Sequence, residues 1–194
     1  LEATKMEPIH IRVLIELALF TALRRGELVG LKWSDIDFEK QQLTVKRSIY
    51  KPKGENAIEK EPKTLSSIRT ISIPNCLCET LQYYKKKQAE NSLSLGERWK
   101  NLDYLFTDEF GNVMNPQTPT KQFSKFLERH NIRHLKFHCL RHTSATLLLS
   151  GGCDIKTVSA RLGHSSIETT NIYVHAIESI DRKAAIMFDF FVKE

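Results

Sequence analysis

The stretch from residue 137 to residue 152, FHCLRHTSATLLLSGG, constrains the fold more strongly than any other part of the chain. Its second half is rich in leucine and predicts a buried helix, whereas His138, Arg141 and His142 stand at its beginning. His138 and Arg141 are three residues apart and therefore share one face of that helix. The first turn of a helix also presents free N–H groups and the positive end of the helix dipole. This turn is therefore suited to bind a phosphate or a carboxylate.

The same residues also have a purely structural explanation. In that case Arg141 pairs with a carboxylate such as Glu27, and His138 only caps the helix. Taken alone, the motif does not distinguish the two explanations, so the rest of the sequence has to decide between them.

The segment that follows the leucine run has well-marked helix boundaries. Gly151 and Gly152 are expected to end a helix over residues 138–149. Asp154 can cap a next helix over residues 155–162, which Gly163 can close in a left-handed conformation.

A final short helix is expected over residues 167–175. Ser165 and Glu168 fit the S-x-x-E capping box at its start. His164 then lies at the mouth of the helix that carries Tyr173.

The rest of the chain predicts an α+β fold that is mainly α, a helical domain with a small antiparallel sheet at one edge. Apolar residues recur at helical spacing in several stretches. Two other stretches alternate and predict strands, separated by a polar, lysine-rich connection. The predicted helices cover residues 8–23, about 26–33, 77–90 and 118–131, and the predicted strands lie within residues 41–50 and 67–74.

The charge of the chain favours a polyanionic partner such as nucleic acid. It has 29 Lys and Arg residues against 23 Asp and Glu residues, a net charge of +6, and a sequence pI of about 9.1. Several basic residues crowd into residues 46–63, and Lys85, Lys86 and Lys87 form a second group. A solvated charged surface explains these groups as well as a nucleic-acid contact does.

The four cysteines lack the paired spacing of a zinc ribbon or a disulfide framework, so reduced thiols are expected. A metal site made of His138, Cys139, His142 and Cys153 is conceivable, but the spacing matches no established site. No apolar run reaches the length of about 20 residues needed to span a bilayer. We therefore expect no membrane association and a cytoplasmic location.

Four stretches occur in an order that carries more information than any of them alone. They are TALRRGELVGLKWSDID (21–37), PKTLSSIRTISIP (62–74), HCLRHTSATLLLSGG (138–152) and RLGHSSIETTNIYVH (161–175). Together they resemble the tyrosine recombinase (phage integrase) family, from Thr21 to His175, and this resemblance implies the DNA breaking-rejoining fold. The H-x-x-R-H and L-G-H motifs with the tyrosine that follows are highly specific, whereas the lysine stretch alone is weak.

The resemblance implies a set of six catalytic residues. The first arginine of the family falls on Arg24, and Ala22 stands where the family usually has glycine. The family's lysine falls on Lys63, although Lys60 is close enough to remain an alternative. The tyrosine is the nucleophile. The implied set is Arg24, Lys63, His138, Arg141, His164 and Tyr173.

Three further polar residues near these motifs are expected to support the structure. Glu27 and Asp35 are expected to pair or cap near Arg24 rather than act as an acid or a base. His142 is expected to have a supporting structural role.

The chemistry of the family explains these residue types. A tyrosine hydroxyl has a pKa of about 10, so a phenolate at pH 7 costs about 4 kcal/mol unless a base such as His138 or nearby positive charge helps. The planar guanidinium of arginine can donate paired hydrogen bonds to the oxygens of a phosphodiester, and His164 can add a further donor. A lysine can protonate the leaving 5′-oxygen. Because the tyrosyl phosphodiester retains the energy of the cleaved bond, neither a metal nor another cofactor is expected.

By resemblance, the chain is the catalytic domain of a site-specific recombinase that cleaves and rejoins DNA through a 3′-phosphotyrosyl intermediate, supporting integration and excision of a mobile element. The expected partners are double-stranded DNA, further copies of the chain in a homotetramer on DNA, and a directionality factor. The expected location is the bacterial cytoplasm, at nucleoid-associated DNA. Two alternatives are a type IB topoisomerase-like enzyme and a catalytically inactive DNA-binding regulator of the same fold.

The expected domain division places the catalytic domain at residues 1–176 and a helical tail at residues 177–194. The tail carries an apolar stripe that needs a partner surface in the same chain or in another. It resembles the segment that family members dock onto a neighbouring protomer. Complete family members usually carry an N-terminal core-binding domain, so the chain is expected to be the catalytic part of a longer integrase.

Overall fold

The computed structural model describes residues 1–52, 54–60, 68–164 and 166–174. These residues form a mainly helical domain with short antiparallel strands, which confirms the predicted fold class. The α-helices of this part of the chain are α1 (Ile9–Thr21), α2 (Arg25–Val29), α3 (Asn75–Leu95), α4 (Thr118–Arg129), α5 (Cys139–Ser150), α6 (Ile155–Leu162) and α7 (168–174). Short 3-10 helices cover Glu2–Met6, Trp33–Asp35 and Gly96–Arg98.

Most predicted helices lie close to the observed ones, and α3 differs most. It begins after Pro74 and ends before Gly96, so it is longer at both ends than the predicted 77–90. The last of its buried residues is Tyr84. Because the turns beyond Tyr84 bury no side chain, apolar periodicity cannot locate the end of this helix.

The strands form two small sheets. They are β1 (Ile36–Asp37), β2 (Gln42–Val45), β3 (Ser48–Tyr50), β4 (Ile58–Lys60) and β5 (Arg69–Ser72). One sheet has the order β1-β2-β5 with antiparallel pairing, in which Leu43 lies opposite Ile71. In the other sheet β3 pairs antiparallel with β4.

The strand predicted within residues 41–50 is divided at Arg47. The Arg47 side chain is largely buried and pairs with Asp35 and with Glu59. Beyond this point the chain no longer pairs with β5 and pairs with β4 instead. The strand β4 falls in the polar, lysine-rich connection, for which no strand was predicted. All its residues are exposed, so it lacks the alternation that predicts a strand.

The main apolar core surrounds α1, whose Val13, Leu14 and Leu17 are fully buried in a cluster that also contains residues of α3, α4 and the three-stranded sheet. A second, smaller cluster brings together the end of α1 with α5, α6 and α7. It consists of Ala22, Ala145, Val158, Leu162 and Tyr173. The elements that carry most of the predicted site residues therefore meet around this cluster. Across the described ranges, every helix is too short or too polar to cross a membrane.

Candidate active site

The turn between α1 and α2 places Arg24 beside the second apolar cluster. After Thr21 ends α1, Ala22 adopts a left-handed conformation with φ 55° and ψ 27°. Glycine usually takes this conformation, and the Ala22 Cβ costs about 1 kcal/mol there. The chain reversal brings Arg24 to the position that precedes α2, with 47% of its side-chain surface exposed. The Arg24 guanidinium is therefore accessible from solvent.

A closed set of hydrogen bonds, called the arginine ring below, joins Arg24, Glu27, Arg69 and the turn at Gly163. Arg24 Nη1 donates to Glu27 Oε1 at 2.9 Å, and Arg24 Nη2 donates to the Gly163 carbonyl at 3.0 Å. Arg69 donates from both terminal nitrogens to the Glu27 carboxylate, at 3.2 and 2.7 Å. Arg69 Nε also donates to the Arg161 carbonyl at 2.9 Å. The ring therefore ties α2 and β5 to the end of α6.

Glu27 compensates part of the positive charge in the arginine ring. Burial raises the pKa of its carboxyl, but the hydrogen bonds and charges of Arg69 and Arg24 outweigh this effect and leave the pKa lowered. Glu27 also accepts a hydrogen bond from the Arg24 backbone N–H at 2.9 Å, which is a capping contact of the kind expected for it. Asp35 pairs with Arg47 instead and does not belong to the ring.

Arg141 lies on α5 with 3% of its surface exposed. Its Nη1 donates to the Ala22 carbonyl at 2.6 Å, and its Nη2 donates to the Leu162 carbonyl at 2.7 Å. Burial and then the charge of Arg24 lower the pKa of Arg141 to about 10, so the guanidinium is still protonated at neutral pH. Glu27 is hydrogen-bonded to Arg24 and Arg69 and not to Arg141. The ion pair suggested as a structural explanation is therefore not formed.

His138 and His142 occupy the exposed side of the first turn of α5. His138 directly precedes α5, and its ring centre lies 4.8 Å from that of His142. Partial burial and then the charges of His142 and Arg141 lower the pKa of His138, which favours the neutral imidazole at pH 7. The His142 ring centre lies 5.4 Å from that of Tyr173. His142, expected only to support the structure, therefore contacts both a predicted base and the predicted nucleophile.

The boundaries of α6 are those predicted from the sequence. Asp154 accepts a hydrogen bond from the Thr157 N–H at 2.9 Å, and Gly163 closes the helix with φ 67°. A Cβ at Gly163 would lie 2.8 Å from Arg69 Nη1, so both the backbone angle and the arginine ring favour glycine here. The capping box predicted for Ser165 lies outside the described residues.

His164 directly follows the turn that ends α6. Its Nδ1 lies 2.9 Å from Oγ1 of Thr170 on α7. Partial burial, followed by the charges of Arg141 and Arg24, lowers the pKa of His164 to about 4. The His164 imidazole is therefore neutral at pH 7.

Tyr173 lies on α7 with 6% of its surface exposed. Its ring is nearly parallel to the His164 ring, with the two centres 6.4 Å apart. Burial raises the pKa of the Tyr173 hydroxyl, and the nearby Arg141 and Arg24 only partly oppose this effect. In the protein alone, Tyr173 is therefore a neutral phenol in strongly cationic surroundings.

The structure gathers five of the six predicted catalytic residues at one place, namely Arg24, His138, Arg141, His164 and Tyr173. The sixth, Lys63, lies outside the described residues. Its alternative, Lys60, is exposed on β4, with Nζ 4.6 Å from the centre of the Tyr50 ring. The structure therefore does not choose between the two lysines.

Two residues of the site, Arg69 and Thr170, were not predicted. Arg69 begins a short strand, and an arginine in that position is normally read as a solvent-exposed side chain. Thr170 is three residues before Tyr173 and therefore on the same helical face, which is the one signal that could have indicated it.

Metal-binding side chains are not clustered in the part of the chain that the structure describes. No group of three or more His, Cys, Asp or Glu residues there could hold a metal ion. The described part of the chain contains all four members of the metal site that was considered from the sequence, namely His138, Cys139, His142 and Cys153.

A mainly helical fold that gathers arginines, histidines and a buried tyrosine at one place defines a class of proteins. Comparison with known families identifies this class. The Phage integrase family model matches residues 1–179, so the chain belongs to this family. A XerC-like tyrosine recombinase of Caldanaerobacter subterraneus subsp. tengcongensis is 44% identical over 180 residues, which cover 87% of this chain and 46% of that protein. The ICEBs1 integrase of Bacillus subtilis is 31% identical, over 89% of this chain and 47% of its own length. The chain thus spans about half the length of these curated relatives.

Solved structures give the same result. The Tn1549 transposon integrase in complex with circular intermediate DNA has a TM-score of 0.73 and 25% sequence identity, covering 88% of this chain and 59% of the integrase chain. The crystal structure of XerA recombinase has a TM-score of 0.72 and 26% identity, covering 96% of this chain and 60% of the other. The family and the fold implied by the sequence motifs are therefore confirmed.

Proposed function

We propose that this chain is the catalytic domain of a site-specific DNA recombinase that supports integration and excision of a mobile element. It cleaves one DNA strand by forming a 3′-phosphotyrosyl bond to Tyr173 and then rejoins the strand. The observation that carries this proposal is the buried Tyr173 hydroxyphenyl group packed against His142 and His164 in the field of Arg141 and Arg24. Similarity to proteins named integrase and tyrosine recombinase supports it.

The scissile phosphate is bound by Arg24, Arg141 and His164. Arg24 is held by Glu27 and the Gly163 carbonyl yet is half exposed, so it can reach a phosphate that arrives from solvent. Arg141 is fixed by two backbone carbonyls and retains its charge. Charged donors that are held in place before the reaction stabilise the charge that develops on the non-bridging oxygens, and removing one such donor typically costs about 100-fold to 1000-fold in rate.

The reaction transfers the phosphoryl group from one oxygen to another. The Tyr173 oxygen forms a bond to phosphorus while the bond from phosphorus to the 5′-oxygen breaks. The Tyr173 proton passes to a neutral imidazole, for which His138 is the proposed base and His142 contacts both rings. The departing 5′-oxygen takes a proton from Lys63 or Lys60.

Rejoining reverses these steps. A 5′-hydroxyl attacks the phosphotyrosine, and the Tyr173 oxygen leaves and regains a proton. Because the DNA–tyrosine linkage is itself a phosphodiester, rejoining needs no nucleotide cofactor as a source of energy.

The proposed assembly is a homotetramer on double-stranded DNA, with a directionality factor, in the bacterial cytoplasm. The net charge of +6 supports the DNA partner.

The proposed division into a catalytic domain at residues 1–176 and an exchanged tail at residues 177–194 is supported by exposed apolar side chains near the site. Leu147 on α5 is 60% exposed and Ile172 on α7 is 65% exposed. Such side chains provide a surface on which an apolar stripe can pack.

A covalent-capture assay tests the proposed activity. The protein is mixed with nicked duplexes taken from the DNA that flanks its gene, and the products are separated on a denaturing gel. A protein–DNA band is expected for the parent chain and for Tyr83→Phe, a matched control because Tyr83 is exposed on α3. The band is expected to disappear in Tyr173→Phe. Binding of DNA without any covalent band would instead favour the catalytically inactive regulator.

The general acid can be assigned with a modified substrate. We expect cleavage by Lys63→Ala, and not by Lys60→Ala, to be slow on normal DNA and restored when sulfur replaces the bridging 5′-oxygen. A thiolate is a far better leaving group than an alkoxide and needs no proton. Rescue of Lys60→Ala alone would assign the role to Lys60.

A further inference from the structure

Thr170 is a fully buried polar residue on the helix that carries the proposed nucleophile. Its exposed fraction is 0%, and it lies three residues before Tyr173, about one turn away. Its backbone N–H donates to the Ile167 carbonyl at 2.7 Å, as part of the first turn of α7. Its side chain reaches out of the helix to His164, with Oγ1 at 2.9 Å from Nδ1.

The direction of this hydrogen bond follows from the needs of the hydroxyl group. A buried hydroxyl proton requires an acceptor. Among the described residues, the Nδ1 atom of His164 is the hydrogen-bond partner of Thr170 Oγ1. The hydroxyl therefore donates, and Nδ1 must be the unprotonated nitrogen of the ring.

The surroundings of His164 agree with this direction. Partial burial, and then the charges of Arg141, Arg24 and Arg69, lower the pKa of His164 and disfavour an imidazolium. A neutral imidazole whose Nδ1 accepts a hydrogen bond carries its single proton on Nε2. Because Nδ1 is already bonded to Thr170, Nε2 is the nitrogen left for a substrate oxygen.

We propose that Thr170 is a positioning residue that holds His164 in the Nε2–H tautomer. The imidazole then presents a proton, and not a lone pair, to the phosphate. This role rests on the proposed function, in which His164 binds the scissile phosphate. The same hydrogen bond links the position of His164 to α7, so the phosphate donor and the tyrosine are aligned together.

The tautomer is tested directly by ¹⁵N NMR of the histidine side chains, with His164 assigned by comparison with His164→Asn. In the parent chain and in Thr170→Ser, we expect the Nδ1 signal of an unprotonated nitrogen and the Nε2 signal of a protonated one. In Thr170→Val, which has nearly the same shape without the hydroxyl, a mixture of both tautomers is expected. Protonated Nδ1 in the parent chain would overturn the proposal.

The effect on cleavage is measured with the covalent-capture assay. Loss of one hydrogen bond predicts that Thr170→Val slows formation of the protein–DNA band by about tenfold, while Thr170→Ser stays within about twofold of the parent chain. In a His164→Ala background, Thr170→Val should cause no further loss, because its effect acts through His164. An equal loss in both backgrounds would show that Thr170 acts through packing and not through His164.

The two proposals fail in different ways. If the parent chain forms no covalent band with any substrate, the proposed function fails, whereas the NMR experiment still decides the tautomer. If the band forms but Nδ1 is protonated, the function stands and the role of Thr170 is wrong.

Discussion

The arginine ring and α7 both contribute to the candidate site, but their contacts with the rest of the protein differ. The ring is held by charge-assisted hydrogen bonds from Arg24 and Arg69 to one buried carboxylate and to two backbone carbonyls at the end of α6. The helix α7 is held by the packing of Tyr173 in a small apolar cluster and by the bond from Thr170 to His164. The half of the site that is proposed to bind phosphate is thus fixed by charge, and the half that carries the proposed nucleophile is fixed by packing.

This difference predicts different outcomes of mutation. Changes in the arginine ring should reduce both the free energy of unfolding and cleavage, because the same bonds hold the fold and orient the donors. Changes in α7 that preserve shape should reduce cleavage and leave the fold nearly unchanged.

The largest loss of stability is expected for Glu27→Gln. This change keeps the shape and leaves Arg24 and Arg69 beside each other without a compensating charge. Removing one partner of a buried ion pair typically costs about 3 kcal/mol or more. Urea unfolding should show this loss, whereas Glu90→Gln, which breaks an exposed pair with Lys87, should change the free energy of unfolding far less. Equal effects of the two changes would mean that the ring does not hold the fold.

A smaller effect is expected for Arg69→Lys. The ammonium group keeps the charge but cannot donate to Glu27 with two nitrogens and to the Arg161 carbonyl at once. We expect a loss of about 1 to 2 kcal/mol in the free energy of unfolding and slower covalent capture. Unchanged cleavage would show that Arg69 does not help to position Arg24.

The pH dependence of stability should reveal the lowered pKa of His164. Its pKa of about 4 in the folded protein lies below the usual value near 6.5, so the unfolded chain takes up a proton first as the pH falls. This contribution to stability is full above about pH 6.5 and declines towards pH 4. His164→Asn should flatten the fall of Tm in this window, with His134→Asn, at an exposed residue, measured beside it as a control. His138 and His10 have lowered pKa values as well, so the difference between each variant and the parent is the quantity to compare.

The smallest effect is expected at His142. Contact between two aromatic rings is worth about 0.5 to 1.5 kcal/mol beyond the burial of area. His142→Ala should therefore lower stability slightly, while His142→Phe keeps a ring against Tyr173 and should not. If His142→Phe nevertheless slows cleavage, the imidazole has a role in proton transfer.

The sequence predicted the parts of the fold that follow from local signals. The bounds of α6 were predicted because Asp154 and Gly163 mark a helix start and end through their own backbone chemistry. The strand β4 was not predicted, because its exposed residues show no alternation that would reveal its pairing with β3. The division of the predicted strand at Arg47 was not predicted either, because the apolar alternation does not show that Arg47 pairs with Asp35 and Glu59.

The candidate site, like the fold, was predicted only where the sequence carries local signals. The predicted residues Arg24, His138, Arg141, His164 and Tyr173 could be named because they stand in specific motifs. Arg69 and Thr170 were missed because their partners, Glu27 and His164, are brought to them only by the folded chain. No local pattern shows that an arginine at the start of a strand will bind a carboxylate 42 residues away.

The most direct test of the central claim is to map the amino acid that becomes bonded to DNA. The protein–DNA product is digested with nuclease and protease, and the remaining nucleotide-bearing peptide is sequenced by mass spectrometry. The account predicts a nucleotide attached through its 3′-phosphate to Tyr173. A nucleotide on another residue, such as the exposed Tyr50 or Tyr83, would contradict it.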